Sequence, residues 1–178
     1  MNLKILSLVI IGVCILLPDV CYAFLEKDVH LLNMQNGLAD NTVSAVYKDK
    51  EGFVWFGTRN GLSRYDGRQI TNFEQSNSYP SISNLKEVFD GVLAFVDNGV
   101  FSAFDLKKER FLSVVSSSEK RIPSWGMLQK NDSLVWVISG SELHLMKRCA
   151  SKEGELRLRV QEKYTGWDNQ DNLLVAIT

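Results

Sequence analysis

The stretch Gly52–Gly67, "GFVWFGTRNGLSRYDG", decides how the rest of the chain reads. In "FVWF" the two faces of a strand are Phe53 with Trp55 and Val54 with Phe56, and both are apolar. An antiparallel sheet with one wet face alternates apolar and polar residues. This strand instead asks for cover on both sides. Gly57-Thr58 ends the run. Asn60-Gly61 then offers a hairpin turn whose residues tolerate positive φ, and Asp66-Gly67 offers the next.

Fainter copies follow. Gly52-Phe53-Val54-Trp55-Phe56 aligns with Gly91-Val92-Leu93-Ala94-Phe95 and with Ser133-Leu134-Val135-Trp136-Val137. The central positions Trp55, Ala94 and Trp136 lie 39 and then 42 residues apart. Asn98-Gly99 and Ser139-Gly140 stand where Asn60-Gly61 does. Outward from these landmarks the spacing predicts strands over Thr42–Lys48, Phe53–Thr58, Leu62–Asp66 and Gln69–Glu74. It predicts four more over Asn84–Phe89, Val92–Val96, Val100–Asp105 and Arg110–Val115. A third group is Ser124–Lys130, Leu134–Ile138, Glu142–Lys147 and Leu156–Lys163, and "NLLVAIT", Asn172–Thr178, starts another. Four hairpin-linked strands repeating at about 40 to 45 residues are the pattern of a β-propeller. The reading is all-β: an incomplete propeller of about three four-stranded antiparallel blades, over residues 42–75, 84–116 and 124–163, with a fourth beginning at 172. A blade lies between two others, which explains why "FVWF", "VLAFV" and "LVWVI" are apolar on both faces.

The chain has 178 residues, 45% hydrophobic and 23% charged, which suits a folded domain with a real core. Its net charge of −1 lacks the basic footprint that nucleic acid or an acidic membrane surface demands. The N-terminus reads separately. Lys4 precedes an apolar run from Ile5 to Leu17, Pro18 breaks it, and "CYA" ends on Ala23. The run is shorter than the ~20 residues of a spanning helix. Residues 1–23 are therefore expected to be a secretory signal peptide cut after Ala23, leaving 24–178 as the propeller segment. Cys14 and Cys21 leave with the signal, so Cys149 remains without an internal partner. Val29–Met34, "VHLLNM", stands where a blade's outermost strand would, just before the loop "QNGLADN". It is expected to complete a blade whose other strands come from far along the chain, and to lie here as an unpaired edge or loop.

Asn36–Phe73 resembles the two-component regulator propeller repeat. The resemblance rests on Gly37-Leu38, Asn41, Val43, Asp49, Gly52, Trp55, Gly57-Thr58, Gly61-Leu62 and Tyr65-Asp66-Gly67. The second copy keeps mainly its glycine and apolar positions, with Ala94 at the place of Trp55. The third lacks the Tyr-Asp-Gly stop. The resemblance implies the N-terminal periplasmic part of a hybrid two-component sensor histidine kinase of the Bacteroidetes type. Such proteins sense glycan fragments or similar nutrients outside the cell and switch genes inside it. It further implies export to the periplasmic side of the inner membrane and a small-molecule or oligosaccharide ligand. A homodimer of the parent sensor, and membrane attachment only through parts beyond this chain, are implied too. No enzymatic activity, cofactor or nucleic-acid partner is expected of the segment itself.

The residues offer little catalytic chemistry. His30 and His144 fall in different strand candidates and read as surface or edge histidines. "DKEG", Asp49–Gly52, lacks the alternating oxygen ligands of a calcium loop and reads as a hairpin turn. It resembles the Asp-box turn of glycan-cleaving propellers, but the arginine cluster and paired acids such enzymes need are not assembled here. A secreted propeller lectin or glycan-acting enzyme is the alternative reading. One rim of the propeller, built from loops entering the innermost strands and from the second hairpins, is expected to hold Asp40, Asn41, Arg59, Asn60, Tyr79, Asp97, Asn98 and Trp125. Arg59, Asn60, Asp97 and Trp125 are the ligand-binding candidates. Arg59 offers five donors and Trp125 a stacking face, both suited to sugars or carboxylates.

Overall fold

Apolar runs cut by Asn, Asp and Gly turns become hairpins, and the computed structural model of the chain consists of little else. It describes residues 30–74, 80–117 and 121–165. The chain divides into two units, Met1–Leu31 and Leu32–Thr178. Of the first, only His30 and Leu31 are described, and both are exposed.

In the second unit, strands β1 (Val43–Lys48), β2 (Val54–Thr58), β3 (Gly61–Tyr65) and β4 (Ile70–Phe73) form a four-stranded antiparallel sheet in chain order. Strands β5 (Ile82–Phe89), β6 (Val92–Asp97), β7 (Val100–Asp105) and β8 (Arg110–Ser116) repeat that meander. So do β9 (Gly126–Asn131), β10 (Leu134–Ser139), β11 (Glu142–Cys149) and β12 (Glu155–Thr165). These are three antiparallel blades. The second and third are also joined edge to edge: Glu155–Leu158 of β12 pairs in parallel with Ser113–Ser116 of β8, giving one eight-stranded sheet.

The hairpins show why these residues turn. At the β6–β7 turn both Asn98 and Gly99 have positive φ, 49° and 76°. At the β2–β3 turn only Gly61 does, and Thr58 closes the turn instead: its hydroxyl donates to the Gly61 carbonyl at 2.9 Å and accepts from Asn60 N at 3.1 Å.

Packing follows the two-faced strands. Between the first and second blades lie Trp55, Leu62, Ile82, Leu85, Leu93, Phe95 and Phe104. Between the second and third lie Val88, Phe89, Val92, Ala94, Phe101, Ala103, Val135, Val137, Met146, Leu156 and Leu158. All of β6 is buried, its residues supplying both layers in alternation. Gly57 sits where a Cβ would come within 2.8 Å of the Ile82 side chain and 2.9 Å of its carbonyl oxygen, so its lack of a side chain lets the first two blades close.

The described part of the Val29–Met34 segment lies as a loop outside any sheet, as expected for an outer strand without its partners: His30–Asn33 are irregular and Met34–Asn36 form a single 3-10 turn capped by Asn33, whose Oδ1 accepts from Gln35 N and Asn36 N. Val29 itself, the signal-peptide candidate 1–23 and the strand proposed over 172–178 lie outside the described residues. Three differences from the sequence reading stand out. β5 begins at Ile82 rather than Asn84, and β12 extends to Thr165 rather than Lys163. His144, read as a surface or edge residue, is buried on the face of β11 that it shares with Met146; its Nε2 lies 2.8 Å from Glu142 Oε2. Finally, the parallel β8–β12 join breaks the pattern of separate antiparallel blades.

Candidate functional site

The residues quoted for the repeat resemblance turn out to build structure. Leu38 is buried and Gly37 adopts φ 100°. Asn41 Oδ1 accepts from Met34 N at 2.8 Å. Asp49 accepts from Phe53 N at 2.9 Å and, at 2.7 Å, from the indole nitrogen of the buried Trp55. The "DKEG" turn is thus a hairpin whose carboxylate anchors the central aromatic of the blade. Asp66 accepts from Arg68 N and Gln69 N, both at 2.8 Å, and these amides hold its carboxyl below the usual carboxylate range. These residues are committed to turns and packing; the binding candidates lie in the loops entering the innermost strands and in the second hairpins.

Those loops share one rim. Thr42 and Arg59 meet there, Arg59 N donating to the Thr42 carbonyl at 3.4 Å. Ser44 carries the rim from the first blade to the second: its hydroxyl donates to the carbonyls of Gly57, at 3.1 Å, and Ile82. Asn98 N donates to Ser81 O at 3.2 Å. The third blade joins through Asn84, whose Nδ2 donates to Trp125 O at 3.0 Å, and through Ser124 N, which donates to Gly99 O at 2.7 Å.

The four binding candidates divide on this rim. Arg59 is exposed and Trp125 is 75% exposed, so both are open to solvent. Asn60 is exposed but its Nδ2 donates to Ala39 O at 3.3 Å. Asp97 is buried; its Oδ1 accepts from Ser81 N at 3.1 Å and from Asn98 Nδ2 at 3.2 Å. Asp40 Oδ1 accepts from Thr42 N at 2.6 Å, shaping the entry to β1. Tyr79 lies outside the described residues. Sequence reasoning missed a cleft of 400 Å³ beside Asp97 and Asn98, lined also by Ser102, Ser113 and Arg121. Its remaining wall is Arg121–Ile122, a segment that no local pattern places beside β7 and β8. No group of three or more His, Cys, Asp or Glu among the described residues is arranged to hold a metal ion.

Residues 37–60 match the family model of the two component regulator propeller. Among solved structures, it is similar to the extracellular domain of a protein described as a one component system from B. thetaiotaomicron. The two share 16% identity and a TM-score of 0.58 over 77% of this chain and 21% of that one. It is also similar to the extracellular domain of a hybrid two component system from the same organism, at 19% identity and a TM-score of 0.55, over 77% of this chain and 18% of that one. At such identity the likeness speaks for the fold, and the propeller blades read from the repeat are shown. The chain spans about a fifth of the length of the structures it matches. No curated protein matches it by sequence. No helix among the described residues is long and apolar enough to cross a membrane.

Proposed function

We propose that the chain is the extracytoplasmic ligand-sensing propeller segment of a two-component signalling sensor, on the periplasmic side of the inner membrane, whose inducer is a nutrient of the glycan-fragment type. The observation that carries this reading is the regulator-propeller match at residues 37–60, on a fold shared with extracellular sensor domains. The segment contributes recognition. Signal output and its kinase chemistry belong to the longer sensor of which it forms part. Export by the leader 1–23 delivers the blades to that compartment.

On this reading Arg59 and Trp125 are the contact residues, a charged fork and an exposed stacking face on one rim, while Asn60 and Asp97 hold the turns that present them. Ring stacking on an exposed indole and charge-assisted donation from a guanidinium are the two interactions polyols and sugar acids use best. The test is transcriptional. In the native host, the chromosomal gene is given Arg59→Ala or Trp125→Ala, and the response to a panel of glycan fragments is followed at the neighbouring uptake genes. Loss or a rightward shift of the response to one inducer is the expected outcome. An unchanged response in both variants rejects the rim site. A deletion strain that still responds to every fragment rejects the sensor reading itself.

A further inference from the structure

At the opposite rim, where the β1–β2 and β5–β6 hairpins and the β7–β8 turn meet, a cleft of 300 Å³ opens between the first and second blades. Its walls include Phe53, Arg64, Leu106, Lys107 and Glu109. Arg64 projects from near the end of β3. Its guanidinium carbon lies 4.6 Å from the centroid of the Phe53 ring and 5.6 Å from those of Trp55 and Phe73, and its side chain is only 16% exposed. Three aromatic rings thus fix a largely desolvated cation on a rigid strand, which strengthens its pull on any anion that reaches its edge.

The charge facing it is Glu109, whose Oε1 accepts from Arg64 Nη1. Glu109 comes from the turn between β7 and β8, is 47% exposed, and holds φ 49°, a left-handed conformation that side chains other than those of Asn, Asp and Gly adopt at a cost. The cation is preorganised and its partner is not. The remaining acids of the cleft are matched or open to water. Asp49 is held by Phe53 N and Trp55 Nε1. Glu87 accepts from Gly91 N at 2.9 Å and Tyr47 OH at 3.2 Å, with Lys50 at 3.4 Å. Asp90 pairs with Lys50 and Lys107, and Glu51 is exposed.

We propose that this cleft binds a small organic carboxylate with an apolar ring, the ligand's carboxylate replacing that of Glu109 on Arg64 and its ring lying against Phe53 and Leu106. An apolar cavity of about 150 Å³ already accepts benzene, so one ring and a carboxylate fit the space. The exchange swaps one carboxylate for another on Arg64, so charge is nearly conserved in the site. Burial of the ring supplies the net gain. Affinity should therefore track the apolar body, whereas the guanidinium fork sets the requirement for an anion. This site is independent of the rim carrying Arg59 and Trp125.

The probes are benzoate, acetate and benzyl alcohol, titrated into the full chain while the Arg64 Nε–H and Trp55 Nε1–H resonances are followed by NMR. Benzoate should bind saturably and far more tightly than acetate, and benzyl alcohol should leave the Arg64 resonance in place. Removing the internal competitor with Glu109→Gln should tighten benzoate about tenfold, and Arg64→Lys, which keeps the charge but loses the fork, should weaken it about tenfold. If Glu109 only clamps the two blades, its neutralisation leaves benzoate affinity unchanged or lower, and either result overturns the proposal. So does an absence of saturable binding to both the native chain and Glu109→Gln. Misfolding cannot imitate a gain in affinity, so the Glu109→Gln arm decides even if Arg64→Lys fails to fold.

Discussion

The middle strand of the second blade and its counterparts in the first and third read alike in sequence and end differently. "VLAFV", "FVWFG" and "LVWVI" are all apolar on both faces. In β6 every residue is buried. In β10 burial alternates: Val135 and Val137 are buried against the second blade, while Trp136 is half-buried and Ile138 is 40% exposed. In β2 the inner face carries buried Trp55 and Gly57, and Val54 and Phe56 on the outer face are half-buried. The outer face of the first blade is crossed instead by the segment around Leu38: Ala39 N donates to Ser63 Oγ at 3.2 Å, and Asn72 Nδ2 donates to Gly37 O at 2.9 Å. On the third blade, Trp136 is covered by Tyr164, with ring centroids 5.8 Å apart, and by Lys130, whose ammonium lies 5.2 Å over its ring. A doubly apolar strand thus states a demand for cover on both faces. Which of those faces is met depends on the neighbours the topology supplies.

The comparison is easiest to break with large-to-small substitutions. Phe104 is fully buried and touches the rings of Trp55, Phe73 and Phe111. Phe104→Ala should cost about 3–5 kcal/mol, as for other buried aromatics. Phe56→Ala on the outer face of the first blade should cost well under half of that, because the side chain is already part-hydrated. Urea unfolding of the two variants gives the difference directly, and equal losses would mean that the outer face is as dry as the layer between blades.

A smaller effect separates the blades at their first hairpins. In the first blade Asp49 serves both the turn and the indole of Trp55. In the second, Ala94 stands at the place of Trp55, and Glu87 serves the turn at Gly91 N while reaching across to Tyr47 OH. Burial, and then the charge of Glu87, push the Tyr47 hydroxyl up from its ordinary value. Asp49→Ala strands a buried indole N–H and a backbone N–H, so it should destabilise by about 1–3 kcal/mol. Trp55→Phe, which removes the indole donor, should lower the penalty of the Asp49 substitution in a double-mutant cycle. Additive losses would show that the bond from Trp55 contributes nothing.

These same features show where the sequence was legible. The repeat, its three middle strands and the hairpins at Asn98-Gly99 and Asp66-Gly67 follow from local pattern, because a strand's faces and a turn's φ values are properties of consecutive residues. The rim could be placed for the same reason: a meander of known order puts alternate turns at one end. The parallel join of β8 to β12 could not, since it pairs edges some forty residues apart with no turn to announce it. His144 was readable in part. It shares a face with Met146 in "ELHLM", and the buried side was assignable only once Val137 and Val135 had been paired with those two positions. The role of Arg64 was invisible, because its ring stack and its Glu109 partner come from β2 with the residue before it, from β4 and from a turn of the next blade, brought together by packing alone.

The smallest expected effect concerns the stop of the first blade, "YDG", which the third blade lacks. Asp66 has a carboxyl lowered by donation from the Gln69 and Arg68 amides, whereas Asp90, Glu142 and Glu153 are lowered chiefly by Lys107, Lys163 and Lys108. In each case the folded protein holds the ionised form better than the unfolded chain does. The associated stability is present above the unfolded carboxylate value, 3.8 for Asp66, and is lost as the pH falls through the lower folded value. Asp66→Asn should therefore lower the thermal midpoint slightly at neutral pH, and the gap from the native chain should close as the pH falls below the ordinary carboxylate range and through the lowered folded value. Its donors are uncharged backbone amides in direct contact with the carboxylate, so adding salt should leave the gap unchanged. Glu153→Gln breaks exposed ion pairs with Lys108 and Arg110, at 2.7 and 3.0 Å, and its gap should shrink as salt screens them. Melting curves at neutral and acid pH, each at low and high salt, separate the two. A salt-sensitive gap for Asp66→Asn would show that the turn is held by charge rather than by its amides, and would erase this distinction between the first blade and the third.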